Sequence, residues 1–187
     1  MAAVASMNRV VSEIGVEKPD RILGEVSRVV QKMLSSRQAR GFSEDGLDMG
    51  LCVYSRTART LYFAGSRLSL FYSSSNGVRE IRGDRQSLGY RSSNPDYPFQ
   101  AHAVPVEPQT RVYLVTDGML DQVGAETGLT LGRNCCLAFL NPILDQPMSA
   151  QKQALYRMFS AYRGCEEQRD DITAVGLCLH GRNRDTG

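Results

Sequence analysis

Between residues 49 and 81 the chain is a close succession of short runs rich in β-formers: Met49–Tyr54, Thr60–Ala64, Leu68–Tyr72 and Val78–Ile81. They are parted only by Arg-Thr-Ala-Arg, Gly65-Ser66 and Ser75-Asn76-Gly77. Gaps this short cannot hold a helical crossover, so consecutive strands must run antiparallel. Asn76-Gly77 adds a strong hairpin signal. The spacing predicts a β-meander and argues against an alternating βαβ sheet.

The flanks of this region are helical. Val4, Met7, Val10, Val11 and Ile14 recur at three- and four-residue spacing up to Gly15, with no N-capping residue ahead of them. That start reads as a helix begun upstream of Met1. A second helix is expected from about Pro19 to Ser35, with Ile22, Leu23, Val26, Val29, Val30, Met33 and Leu34 on one stripe and Pro19 in its first turn. Segment 36–46 reads as a loop, and residues 83–99, with two prolines and many small polar residues, as a long surface loop. Strands are expected near Ala101–Val106, Arg111–Thr116 and Ile172–Leu179. Helices are expected over Leu137–Leu144 and Ala150–Tyr162, the latter burying Leu155, Met158, Phe159 and Tyr162. Helices, then antiparallel strands, then helices and a last strand make an α+β order, read as an antiparallel β-sandwich flanked by helices. One domain over 1–180 and a disordered tail at 181–187 complete the expectation.

Composition removes several function classes. At 187 residues and 42% hydrophobic the chain can bury a sizeable core, while 22 basic against 20 acidic residues leave a formal charge of +2. No basic face announces nucleic acid or an anionic membrane. No apolar run reaches the ~20 residues of a membrane span. The five cysteines (Cys52, Cys135, Cys136, Cys165, Cys178) show neither CxxC nor ligand-like spacing, which suits a reducing, cytoplasmic compartment. With only His102 and His180, both read as structural, zinc is disfavoured and oxygen ligands remain. Neither GxGxxG nor a Walker sequence occurs.

Two motifs carry the chemistry. VYLVTDGMLDQVG, residues 112–124, sets Asp117 just after a nearly continuous apolar strand, and QRDDITAV, residues 168–175, sets Asp170 and Asp171 just before another. Adjacent acids repel, so they call for Arg169, for a divalent cation, or simply for water at the end of a loop. If the two strands are antiparallel neighbours, Asp117 and Asp170 fall at the same edge of the sheet. Asp121 reads as a solvent-facing loop acid, with a supporting role beside Asp117 as the alternative.

The pairing of Thr-Asp-Gly with a C-terminal Asp-Asp-Ile-Thr resembles the metal-dependent protein phosphatases of type 2C, in the bacterial branch typified by stage II sporulation protein E. Pro19-Asp20-Arg21-Ile22-Leu23, Leu61-Tyr62-Phe63-Ala64-Gly65 and Ser87-Leu88-Gly89 are similar to further family segments in the same order, and Asp45–Cys52 is similar to the SiaA-like subgroup of membrane-tethered partner-switching regulators. The resemblance covers nearly the whole chain. It implies a serine/threonine phosphoprotein phosphatase using two Mg²⁺ or Mn²⁺ ions, with Asp117 and Asp170 as metal ligands and Gly118 and Asp171 supporting them. The nucleophile would be metal-bound water, so no catalytic Cys or His is needed. It further implies a phosphorylated anti-sigma-factor-antagonist-like protein as substrate, a cytoplasmic setting that can belong to a membrane-anchored protein, no nucleic acid or direct membrane contact, and room for a homodimer. The family's earlier Gly-Asp-x-x-Gly-His-Gly segment, which bridges both metals, has no match here. The expectation is therefore a domain truncated at its N-terminus, inactive alone, with an inactive binding module as the other functional reading and a sheet edge left unpaired.

Overall fold

The structure, a computed structural model, describes residues 18–38, 46–90 and 93–179. The helix expected over Met1–Ile14, Asp45, His180 and the tail at 181–187 lie outside the described residues. Two compact units are present: one runs to Ser69 and resumes over Arg82–Val106, and the other holds Leu70–Ile81 and the chain from Glu107 onwards.

In the first unit, helix α1 (Pro19–Gln38) sits with strands β1 (Met49–Ser55), β2 (Thr60–Ser66) and β5 (His102–Pro105), which form an antiparallel sheet in the order β1-β2-β5. The stripe read from the sequence is the buried face: Ile22, Leu23, Val26 and Val30 pack with Ala64, Leu88 and Phe99. Burying aliphatic side chains of this size contributes roughly 1.5–3 kcal/mol each. Val29 is only half-buried, and the helix runs three residues past Ser35. Segment 83–99 is an irregular segment exposed at Arg85, Asn94–Asp96 and Pro98, as its composition suggested, but it is pinned inward at a few points. Leu88 and Phe99 are core residues, Leu88 bridges Leu47, and Ser93 Oγ donates to Ser87 O at 2.7 Å. Polar composition conceals this because two apolar anchors suffice to pull the segment inward. His102 lies in β5 with its ring 6.5 Å from that of Phe63, in a structural setting.

The second unit is a four-stranded antiparallel sheet, β4-β3-β6-β7, built from β3 (Leu70–Ser74), β4 (Gly77–Ile81), β6 (Thr110–Val115) and β7 (Ala174–Leu179). The expected meander is therefore two hairpins, β1–β2 and β3–β4, belonging to different sheets. The chain leaves β2 through a step too tight for side chains at two of its glycines: a Cβ on Gly65 or Gly83 would lie 2.3 or 2.5 Å from Leu68 O, and Arg67 takes a positive φ of 56°. The β3–β4 turn is Ser75-Asn76, with Gly77 (φ 92°) opening β4 opposite Ser74, one position from the expected placement.

Helices α2 (Asp117–Leu120), α3 (Gly132–Leu140) and α4 (Met148–Arg163), with a 3₁₀ turn over Asn141–Ile143, belong to this unit. The expected helix at Leu137–Leu144 is thus α3 displaced toward the N-terminus plus the 3₁₀ turn, since Pro142 supplies no N–H to continue the α ladder. Phe71, Val115, Met119, Leu140 and Phe159 centre the core, with Leu155, Met158 and Tyr162 packed against it as the helical spacing predicted. Tyr113 donates to Gln151 Oε1 at 2.6 Å, and burial pushes its hydroxyl up to about 12.

Cys136 is fully buried, and the cysteines are free thiols. Burial pushes Cys52 up to about 11 and Cys136 up to about 12. At pH 8 their thiolate fractions are about one in a thousand or less. A thiol reagent at that pH should modify exposed Cys165 in the native protein and reach Cys136 only on unfolding, as peptide mass mapping would show; native-state labelling of Cys136 would contradict the packing.

Strand β7 departs furthest from expectation. Its apolar run predicts a buried strand, yet among the described residues it pairs with β6 alone and Ala174–Leu177 are exposed, Val175 at 47% and Leu177 at 52%. Its apolar composition matches a central strand, but burial depends on neighbours that composition does not reveal.

Candidate metal centre

Strands β6 and β7 are antiparallel neighbours in register from Thr110↔Leu179 to Val115↔Ala174. The ladder then continues by one polar rung. Thr116 N–H donates to Thr173 O at 3.0 Å, and Thr173 N–H donates to Thr116 Oγ1 at 2.9 Å. That hydroxyl is also 3.3 Å from Asp171 O. Beyond this rung each strand meets its acid, Asp117 opening α2 and Asp171 and Asp170 preceding β7, so both motifs come to one end of the sheet.

Gly118 brings them closer. A Cβ at this position would lie 2.4 Å from Asp171 O, 3.1 Å from Asp171 C and 3.3 Å from Asp170 C, so the backbone of Asp170 and Asp171 lies directly against Gly118. The two carboxylates are braced in the same manner. Gly118 N–H donates to Asp117 Oδ1 at 2.9 Å and Asp171 N–H donates to Asp170 Oδ1 at 2.7 Å, each side chain folding back on the next amide. Gln168 Nε2 also donates to Asp170 O at 2.8 Å.

Asp117, Asp170 and Asp171 are exposed, so burial imposes no cost on their charges. Arg169 does not answer them either: among the described residues neither Asp170 nor Asp171 makes a salt bridge. Asp121 is exposed at the C-cap of α2, where its N–H donates to Asp117 O at 2.7 Å; its side chain has the solvent-facing position expected of it.

The donor set fits a hard divalent cation in kind, being carboxylate oxygen at a mouth open to water and phosphate. In number it is incomplete, because among the described residues no group of three or more His, Cys, Asp or Glu side chains is placed to hold a metal ion. Two supports escaped sequence reading. Thr116 belonged to the Thr-Asp-Gly motif without an assigned role, and Gln122, fully buried, donates through Nε2 to Glu167 O at 3.0 Å. A glutamine seven residues after a strand end carries no signal of such a bond.

The chain matches the family described as stage II sporulation protein E over residues 1–180. It belongs to that family. A solved structure of the SiaA PP2C domain of Pseudomonas aeruginosa is 32% identical, with a TM-score of 0.82 over 96% of this chain and 68% of that one. The phosphatase domain of the cell-fate determinant SpoIIE from Bacillus subtilis, soaked with manganese, shares the fold at 10% identity (TM-score 0.57, 97% of this chain, 74% of that one). So does the catalytic domain of the serine/threonine protein phosphatase PstP in complex with two manganese ions, at 13% identity (TM-score 0.61, 95% and 79%). No curated protein matches. The α+β class with antiparallel sheets and helices is therefore that of a type 2C phosphatase domain, and the stage II sporulation protein E-like branch read from the motifs holds. Among the described residues no helix is long and apolar enough to cross a membrane.

Proposed function

We propose that this member of the stage II sporulation protein E family is a metal-dependent serine/threonine phosphoprotein phosphatase domain whose substrate is a small phosphorylated regulatory protein, of the anti-sigma-factor-antagonist type, in bacterial partner switching. The observation that carries the reading is the seating of the Asp170–Asp171 backbone on Gly118, which draws the Thr-Asp-Gly and Asp-Asp-Ile-Thr motifs to one sheet end. Manganese, named for both the PstP and the Bacillus subtilis structures, supports Mn²⁺ or Mg²⁺ as the cofactor. Asp117 and Asp170 would hold the metal. Bound there, it would acidify water and offset phosphoryl charge. The chain's own residues do the positioning: Thr116 locks the strand ends, Gly118 permits the close approach, and Asp171 N–H and Gly118 N–H fix the two carboxylates. A cytoplasmic setting and a homodimer belong to the same proposal.

A second reading, a phosphatase-like module that docks the phosphoprotein without turnover, is favoured by the small donor set among the described residues. Titration of the chain with Mn²⁺, paired with phosphate release from a phosphoserine protein, tests both. Saturable but weak Mn²⁺ binding with turnover near background is expected, since two carboxylates leave most of a hard cation's six or more positions to water. Full turnover would overturn the view that the site is incomplete. No saturable binding would overturn the metal site.

A further inference from the structure

The loop that carries Asp170 and Asp171 is exposed from Gly164 through Asp171, yet it leads into a site whose two acids must keep a fixed separation. An exposed loop holds its place only where something buried grips it. Gln122 is such a grip. It is 0% exposed, two residues after the end of α2, and its Nε2 donates at 3.0 Å both to Val123 O and to Glu167 O, the latter three residues before Asp170. Its backbone is held in turn, because Leu131 N–H donates to Gln122 O at 2.8 Å. The Oε1 atom is buried with no protein partner among the described residues. With both hydrogen bonds made by its NH₂ group, the side chain acts here as a donor to two backbone carbonyls.

We propose that Gln122 is a positioning residue for the acid pair: its carboxamide ties the Glu167–Asp171 loop to the turn bearing Asp117 and so sets where Asp170 stands relative to Asp117. The tie works with the Gly118 contact. Gly118 lets the Asp170–Asp171 backbone approach, and Gln122 anchors the loop upstream, so the segment between is held at both ends. The consequence for metal binding rests on the metal-centre reading above; the consequence for the loop does not.

A second buried glutamine provides the control. Gln151, 2% exposed, donates through Nε2 to Leu144 O and Gln146 O and accepts from Tyr113, and among the described residues its hydrogen bonds go to these partners and not to the acid loop. Gln122→Met and Gln151→Met keep side-chain length and remove the donors, and both should lower the melting temperature. In metal-free protein, only Gln122→Met should speed exchange of the Thr173 amide, by tenfold or more beyond what the global stability loss explains. It should also weaken Mn²⁺ binding, by up to the roughly 10–100-fold seen when a group bonded directly to a ligand is lost, with occupancy restored at high Mn²⁺. Equal Thr173 protection in the two variants would reduce Gln122 to an ordinary core residue and overturn the inference. Should Gln122→Met fail to fold, the wild type decides: the Gln122 side-chain NH₂ protons must exchange slowly, and exchange at the rate of a free amide overturns the tie. Wild-type protein without saturable Mn²⁺ binding would sink the metal reading alone, and the exchange comparison would still judge Gln122.

Discussion

Asp170→Asn should nearly abolish Mn²⁺ binding while leaving the fold intact. Asn retains the Oδ1 acceptor for the Asp171 N–H bond of 2.7 Å, so the local geometry survives. What disappears is the charge that offsets the cation. The loss in affinity should exceed the roughly 10–100-fold that follows removal of a residue behind a ligand. Asp117→Asn should behave alike, since Gly118 N–H can still donate at 2.9 Å. Metal-free stability should hold or rise slightly, because one of two neighbouring negative charges is gone. Asp121→Asn is the reference: exposed at the C-cap of α2, it should change Mn²⁺ affinity less than threefold or so, as fits an exposed charge screened by solvent. Electron spin resonance of free Mn²⁺, with thermal melts of the apo variants, measures both quantities. Tight binding by Asp170→Asn alongside lost binding by Asp121→Asn would reassign the ligands.

Gly118→Ala should damage the site by a steric route. The added methyl would begin 2.4 Å from Asp171 O, a backbone atom that cannot swing aside as a side-chain tip would. Either α2 or the Asp170–Asp171 backbone must move. An overpacked contact of this kind costs about 1–3 kcal/mol, and a shift at this point separates the two acids. Stability and Mn²⁺ affinity should therefore fall together, the affinity by tenfold or more. Two other glycines isolate the cause. Gly132→Ala meets no atom within 4 Å but has a φ of 64°, so it should cost stability, roughly 1–2 kcal/mol, without touching the metal. Gly24→Ala, inside α1 and equally unobstructed, should raise stability by about 0.5–1 kcal/mol. Mn²⁺ affinity unchanged in Gly118→Ala would mean that the acids do not depend on this contact.

Much of the fold was legible in particular residues. The stripe Ile22, Leu23, Val26 and Val30 is the buried face of α1, and Asn76-Gly77 lies within one position of a real hairpin turn. The acids were legible as well, since Asp117 and Asp170 flank strands that prove to be neighbours. These features share a cause. Periodicity, turn chemistry and motif spacing are set over a few residues, so they persist whatever the rest of the chain does.

What the sequence by itself determined is thus the identity of the elements, the family, and the residues at the ends of β6 and β7. Tertiary structure decided the rest. It divided the apparent meander between two sheets at Gly65, where backbone must approach backbone within 2.3 Å of where a Cβ would stand. It drew Leu88 and Phe99 out of a polar segment into the core and set Gln122 under a loop 45 residues away in sequence. Each of these depends on pairings between distant segments, whose free energy is settled by which partners the packed chain supplies and not by the local pattern.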